Sequence, residues 1–218
     1  MTGYQALIFD MDGVLVDSEP LFLKAINNLL VKESAEPVTD EENQSILIGT
    51  TVEETWRRLK QARGLLEPLQ SYIEKYELEV LEVLKAELTP RPGVRQLIDA
   101  CSRRNLPKAV ASSSLRSWVY LKLETLGFQD SFEVVLGGDD VTKGKPEPDI
   151  YLLAAERLNI PPARCIAIED SPVGIAAAVS AGIYTVAVLT DSTRGMDLSQ
   201  AQQVLETLES FDLNLLRT

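Results

Sequence analysis

In the stretch ALIFDMDGVLVDSEP, Asp10 and Asp12 follow directly on an apolar run. Residues at i and i+2 of an extended segment point to the same side. Two carboxylates held that way repel each other unless a cation lies between them or one is protonated. A second acid pair, Glu169 and Asp170, follows the apolar run CIAI. Two further apolar runs end in chemistry of other kinds. Ser112, Ser113 and Ser114 come after KAVA, and the loop GGDDVTKGKPEPD, carrying Lys143 and Lys145, comes after EVVL. Carboxylates converging from several segments require a cation. The chain has no histidine and only two, widely separated cysteines, so the donors are hard oxygens. Such a set suits Mg2+ and excludes a typical zinc site. The absence of histidine also excludes a Ser-His-Asp triad and a histidine general base. A carboxylate, a metal ion, a hydroxyl and a lysine point to phosphoryl transfer, where positioning and neutralisation of charge do most of the catalysis.

Each group has a plainer reading beside this one. Asp10 and Asp12 could form a turn around Gly13, but that leaves their repulsion uncompensated. Glu169 and Asp170 could cap the helix that follows, yet Ser171 alone can do so. One serine of SSS is expected to cap the next helix, and only Ser112 stands at the end of the apolar run. Lys143 is read as solvated, and Lys145 as the amine that belongs with the acids.

These groups need a scaffold that delivers them to one place. The apolar runs at 5–9, 108–111, 133–136, 165–168 and 183–188 have the length and composition of fully buried strands. Segments of helical periodicity alternate with them: 92–105, 113–128, 148–160 and 172–182. Strands alternating with helices imply an α/β fold with a parallel sheet covered on both faces. In such sheets ligands bind outside the carboxyl ends of the strands, where the acids, serines and lysine fall. From about 18 to 88 no strand pattern is found, only helical stretches. The clearest is PLQSYIEKYELEVLEVLKAEL, apolar at 69, 73, 76, 80, 84 and 88. This block reads as a small helical domain, residues 18–88, inserted into a core made of 1–17 and 89–218. The tail MDLSQAQQVLETLESFDLNLLRT reads as a short connection and a closing helix.

Composition narrows the function. The apolar fraction of 45% and charged fraction of 25% are those of an ordinary globular protein. A net charge of −12 argues against nucleic acid as a partner, though one lysine or a metal can reverse the field locally. Cys101 and Cys165 are read as buried free thiols of a reducing compartment. Neither a secretion-signal pattern nor a membrane span is found, so a soluble, cytoplasmic protein is expected. Nothing suggests an obligate partner, and a monomer is expected.

The segments DMDGVLVDSEP, ASSS, KGKPEPDIY and IEDSPVGIAAAVSAG resemble the four motifs of the haloacid dehalogenase superfamily, in that family's order and over nearly the whole chain. They are most similar to its branch of small phosphatases and β-phosphoglucomutases. The resemblance implies a Rossmann-like core with a helical cap inserted after the first strand. It implies Asp10 as the nucleophile that forms an aspartyl-phosphate, and Asp12 as general acid and base whose backbone carbonyl also binds the metal. Ser112 would hold a phosphoryl oxygen with help from the Ser113 amide, and Lys145 would neutralise nucleophile and phosphate. Asp170 would bind Mg2+ directly and Glu169 through the ion's water shell. Because a second aspartate stands two residues after the first, phosphoryl transfer is implied and dehalogenation is not.

The chain departs from the mutases in two places. Phe22 stands where they carry a histidine, and Val52 is the nearest match to their phosphate-gripping arginine. The cap loop LIGTTVEET has the pattern of a specificity loop, with Gly49, Thr50 and Thr51 as candidate substrate-binding residues. Arg57 and Lys75 are read as surface cations of the cap. The expected function is a Mg2+-dependent phosphatase of a small phosphorylated metabolite, most simply a sugar phosphate. The alternatives are a β-phosphoglucomutase-like phosphomutase and, less favoured, a non-enzymatic phospho-acceptor switch.

Overall fold

The computed structural model describes residues 3–43 and 50–217. The chain divides into two compact units, one of residues 1–17 and 89–218, the other of residues 18–88.

The first unit is an α/β domain, as the alternation predicts. Its sheet contains β1 (Ala6–Phe9), β2 (Lys108–Ala111), β3 (Val134–Leu136), β4 (Cys165–Glu169), β5 (Tyr184–Val188) and β6 (Gln203–Leu205) in the order β3-β2-β1-β4-β5-β6. All five pairings are parallel. β1 and β4 pair in register from Ala6 with Cys165 to Phe9 with Ile168, and the Asp10 amide continues the ladder onto the Ile168 carbonyl at 2.9 Å. β1 is wholly buried. Helices return the chain between strands: α5 (Val94–Arg103), α6 (Arg116–Leu126), α7 (Asp149–Leu158) and α8 (Pro172–Ser180). Ala109, Ala111, Leu136, Ile150, Tyr151, Ala154, Ala167 and Ala177 belong to one buried cluster between sheet and helices. Small residues there let helices approach the sheet closely. Cys101 and Cys165 are buried free thiols.

Two expectations fail. The tail forms no closing helix: Gln203–Leu205 adds a sixth strand beside β5, and short 3-10 turns at Leu208–Ser210 and Leu213–Leu215 follow. Pairing with an open sheet edge satisfies this backbone where the sequence suggests a helix. Nor does a serine of SSS cap α6, which starts after Leu115 with no side-chain cap. The hydroxyls of Ser112 and Ser114 are engaged elsewhere, with the Ser114 amide and with Asp12.

The second unit contains α1 (Glu19–Lys32), α2 (Asp40–Glu42), α3 (Val52–Arg63) and α4 (Leu69–Glu87), and no strand occurs among its described residues. Its core includes Trp56, whose ring lies 5.8 Å from that of Tyr72 and nearly parallel to it. Arg57 pairs with Glu53 and Glu54, and Lys75 with Glu33 and Glu67. Both cations are thus tied up within this unit. Among the described residues, no helix is long and apolar enough to cross a membrane.

Candidate active site

The central strands β1 and β4 end side by side, and their first residues beyond the ladder meet. Carboxylate oxygens of Asp10, Glu169 and Asp170 lie within 4.8 Å of one another. Lys145, from the loop between β3 and α7, bridges two of them. Its Nζ donates to Asp10 Oδ1 at 2.6 Å and to Glu169 Oε1 at 2.5 Å. The Lys145 side chain is 6% exposed and that of Glu169 fully buried. The Tyr151 hydroxyl donates to the same Glu169 oxygen at 2.7 Å, while the Asp170 amide donates to Glu169 Oε2 at 3.1 Å. Glu169 is therefore held rigidly from several sides. Lys143 is exposed, as expected of a solvated residue.

The electrostatics of this cluster are unbalanced. Three carboxylates against one ammonium would leave two formal negative charges in a buried place. Burial pushes the Asp10 carboxyl up to about 8; Lys145 opposes the rise and Glu169 adds to it. Burial, with Glu169 beside it, likewise raises Asp170 to about 7, against the pull of Lys145 and Arg91. Lys145 itself is desolvated, yet Asp10 and Glu169 outweigh that and hold its ammonium charged. A hard divalent cation would supply the missing charge, and an all-carboxylate donor set fits such an ion.

Two glycines exist to make room for these acids. Gly13 has φ of +83° and a Cβ there would stand 2.0 Å from Asp170 Oδ2. A Cβ on Gly174 would stand 1.9 Å from Glu169 Oε1. Ser171 caps α8, its Oγ accepting from the Gly174 amide at 3.1 Å. The acids are thus not needed as caps.

Ser112, at the end of β2, is 1% exposed, and its Oγ accepts from the Ser114 amide at 3.1 Å. Ser113 is exposed. The Asp12 side chain is not one of the three clustered carboxylates, though its charge acts on Asp10. Its Oδ2 accepts from the Ser114 hydroxyl at 3.0 Å, and its Oδ1 accepts from Lys122 Nζ. Sequence reasoning passed over Lys122, whose side chain is 1% exposed. The signal was present: Val119, Lys122, Leu123 and Leu126 form the buried stripe of α6, and a lysine in an apolar stripe needs a partner. In the helical unit, Thr51 caps α3, accepting from the Glu54 amide at 3.2 Å. The Thr50 hydroxyl lies 2.6 Å from that of Thr55. Gly49 lies outside the described residues.

Comparison with known proteins agrees with this architecture. The model of the haloacid dehalogenase-like hydrolases matches residues 7–188. A phosphorylated carbohydrates phosphatase of Thermotoga maritima is 33% identical over 214 residues, covering 98% of each chain. A β-phosphoglucomutase of Bacillus subtilis is 31% identical, over 97% of this chain and 93% of that one. The crystal structure of a CbbY variant from Rhodobacter sphaeroides, in complex with xylulose-1,5-bisphosphate, superposes with a TM-score of 0.80 at 26% identity, covering 99% of this chain and 100% of that one. This chain belongs to the family of haloacid dehalogenase-like hydrolases.

Proposed function

We propose that the protein is a Mg2+-dependent phosphatase that hydrolyses a small sugar phosphate through a phosphoryl group carried on Asp10. The observation that bears most weight is Lys145 bridging Asp10 and Glu169 within a three-carboxylate cluster at the strand ends. Asp10, Asp170, Glu169 and the Asp12 backbone carbonyl would hold the ion, which when bound supplies positive charge against the transferring group.

In the first half-reaction an Asp10 oxygen forms a bond to phosphorus as the bond to the leaving oxygen breaks. Asp12 gives its proton to that oxygen. In the second, Asp12, now a carboxylate, takes a proton from a water as its oxygen attacks phosphorus. The bond to Asp10 breaks, inorganic phosphate leaves, and both aspartates return to their starting states. Lys145 neutralises charge on Asp10 and the phosphoryl group. The Ser112 hydroxyl and Ser113 amide bind phosphoryl oxygens.

The relatives support the substrate class, since one acts on phosphorylated carbohydrates and another is bound to a sugar bisphosphate. Thr50, Thr51 and Gly49 are the cap residues we assign to the substrate. Val52, exposed and apolar at the start of α3, offers no charge to a second phosphate, and this favours water over a phosphorylated sugar as acceptor. A screen of sugar phosphates with and without Mg2+, with Asp10→Asn as blank, tests the proposal. Free phosphate is the expected product. Isomer formation dependent on a bisphosphate would establish the mutase, and a stable phosphoprotein without turnover would establish the switch.

A further inference from the structure

Lys122 is a charged group that the mechanism above does not use. It sits on the buried stripe of α6 with its side chain 1% exposed, so its ammonium is withdrawn from the solvent. Taking an ammonium out of water is costly unless a carboxylate meets it. Here the carboxylate is Asp12, whose side chain is 35% exposed. Asp12 is therefore anchored inside the domain through Oδ1 while part of its side chain stays exposed.

The two anchors differ in what they permit. An ammonium donates hydrogen bonds and cannot accept one, whereas a hydroxyl can do either. Lys122 holds Oδ1, which commits that oxygen as an acceptor. Oδ2 faces the Ser114 hydroxyl at 3.0 Å, which can donate to a carboxylate or accept from a carboxylic acid. The oxygen able to carry and hand over a proton is Oδ2.

We propose that Lys122 is a positioning residue for the proton-transferring aspartate: it clamps Asp12 Oδ1 from inside the domain so that Oδ2 is aimed at the leaving oxygen and then at the attacking water. This rests on the phosphatase reading and adds to it a residue outside the four motifs. Lys145 and Lys122 then divide the work, the first acting on the phosphoryl acceptor and the second on the proton carrier.

A leaving-group comparison tests it. 4-Nitrophenol departs without needing a proton, while a sugar hydroxyl needs one. The wild type, Lys122→Met and Lys122→Arg are compared on 4-nitrophenyl phosphate and on the sugar phosphate that the wild type turns over fastest. Since kcat/KM reports the transfer to Asp10, Lys122→Met is expected to lose on the order of 100-fold on the sugar phosphate and less than about 5-fold on the aryl ester. Lys122→Arg recovers part of the loss. Equal losses on both substrates, or none, overturn the proposal. Should Lys122→Met fail to fold, the pair Asp12→Asn and Asp12→Asn/Lys122→Met decides, since the double variant leaves no unpaired buried ammonium. A residue acting only through Asp12 changes the residual aryl-ester activity by less than about 3-fold in that background. A further loss of about 10-fold or more overturns the proposal. Wild-type turnover without the leaving-group contrast removes Lys122 alone. A wild type inactive on every phosphate ester removes the phosphatase reading and this inference with it.

Discussion

Asp10 owes its chemistry to its surroundings. Its carboxyl stands at a buried strand end with Glu169 and Asp170 near it and a single ammonium, Lys145, between two of the three. Lys145→Met removes the positive charge while keeping the stem, and hydrolysis is expected to fall on the order of 1,000-fold in kcat. Steady-state kinetics on a sugar phosphate check this, and a loss confined to KM would place Lys145 in binding only. Gly13 offers a second test at this scale. Alanine there would collide with Asp170 Oδ2 and strain a left-handed backbone. Gly13→Ala should therefore displace a carboxylate that we propose binds the metal, and raise the Mg2+ concentration for half-maximal activity about 10-fold or more. An unchanged Mg2+ titration would mean that Asp170 does not hold the ion.

The elements explain what could be read from the sequence and what could not. β1, β2 and β4 are buried on both faces, which forces an unbroken apolar run, and such runs are visible without a structure. Their parallel order then brings Asp10, Ser112 and Glu169 to one edge. β6 is a three-residue strand at the sheet's margin, with Val204 exposed, so no apolar run marks it and its pairing depends on β5. Lys122 was legible only as an oddity of α6, because its partner is 110 residues away in the chain. Helix capping separates local from ornamental contacts. Ser171→Ala removes the α8 cap beside Glu169 and is expected to cost about 1 kcal/mol in urea unfolding. Lys24→Ala breaks an exposed pair with Glu87 and is expected to cost well under 1 kcal/mol, roughly the level of surface ion pairs. Equal costs would contradict this ranking.

For the whole molecule, the charge of the site sets a dependence on pH and metal. The chain as a whole carries −12, and burial raises two acids of the site, Asp170 to about 7 and Asp10 to about 8. With folded values raised, unfolding releases protons, so the stability these groups contribute is full below about pH 4 and is lost as pH rises through about 7 and 8. Metal-free protein should lose stability over that window, and Mg2+ should restore more of it at high pH, since ligand carboxylates must be deprotonated to bind. Thermal melts in chelator and in Mg2+ at several pH values read this directly; a Mg2+ effect that shrinks with rising pH would contradict it. The central claim is that Asp10 carries the phosphoryl group. Wild-type protein mixed rapidly with Mg2+ and a radiolabelled sugar phosphate, then quenched in acid, should hold protein-bound label that maps to Asp10 and disappears in Asp10→Asn. Turnover with no bound label, undiminished in Asp10→Asn, would contradict the account.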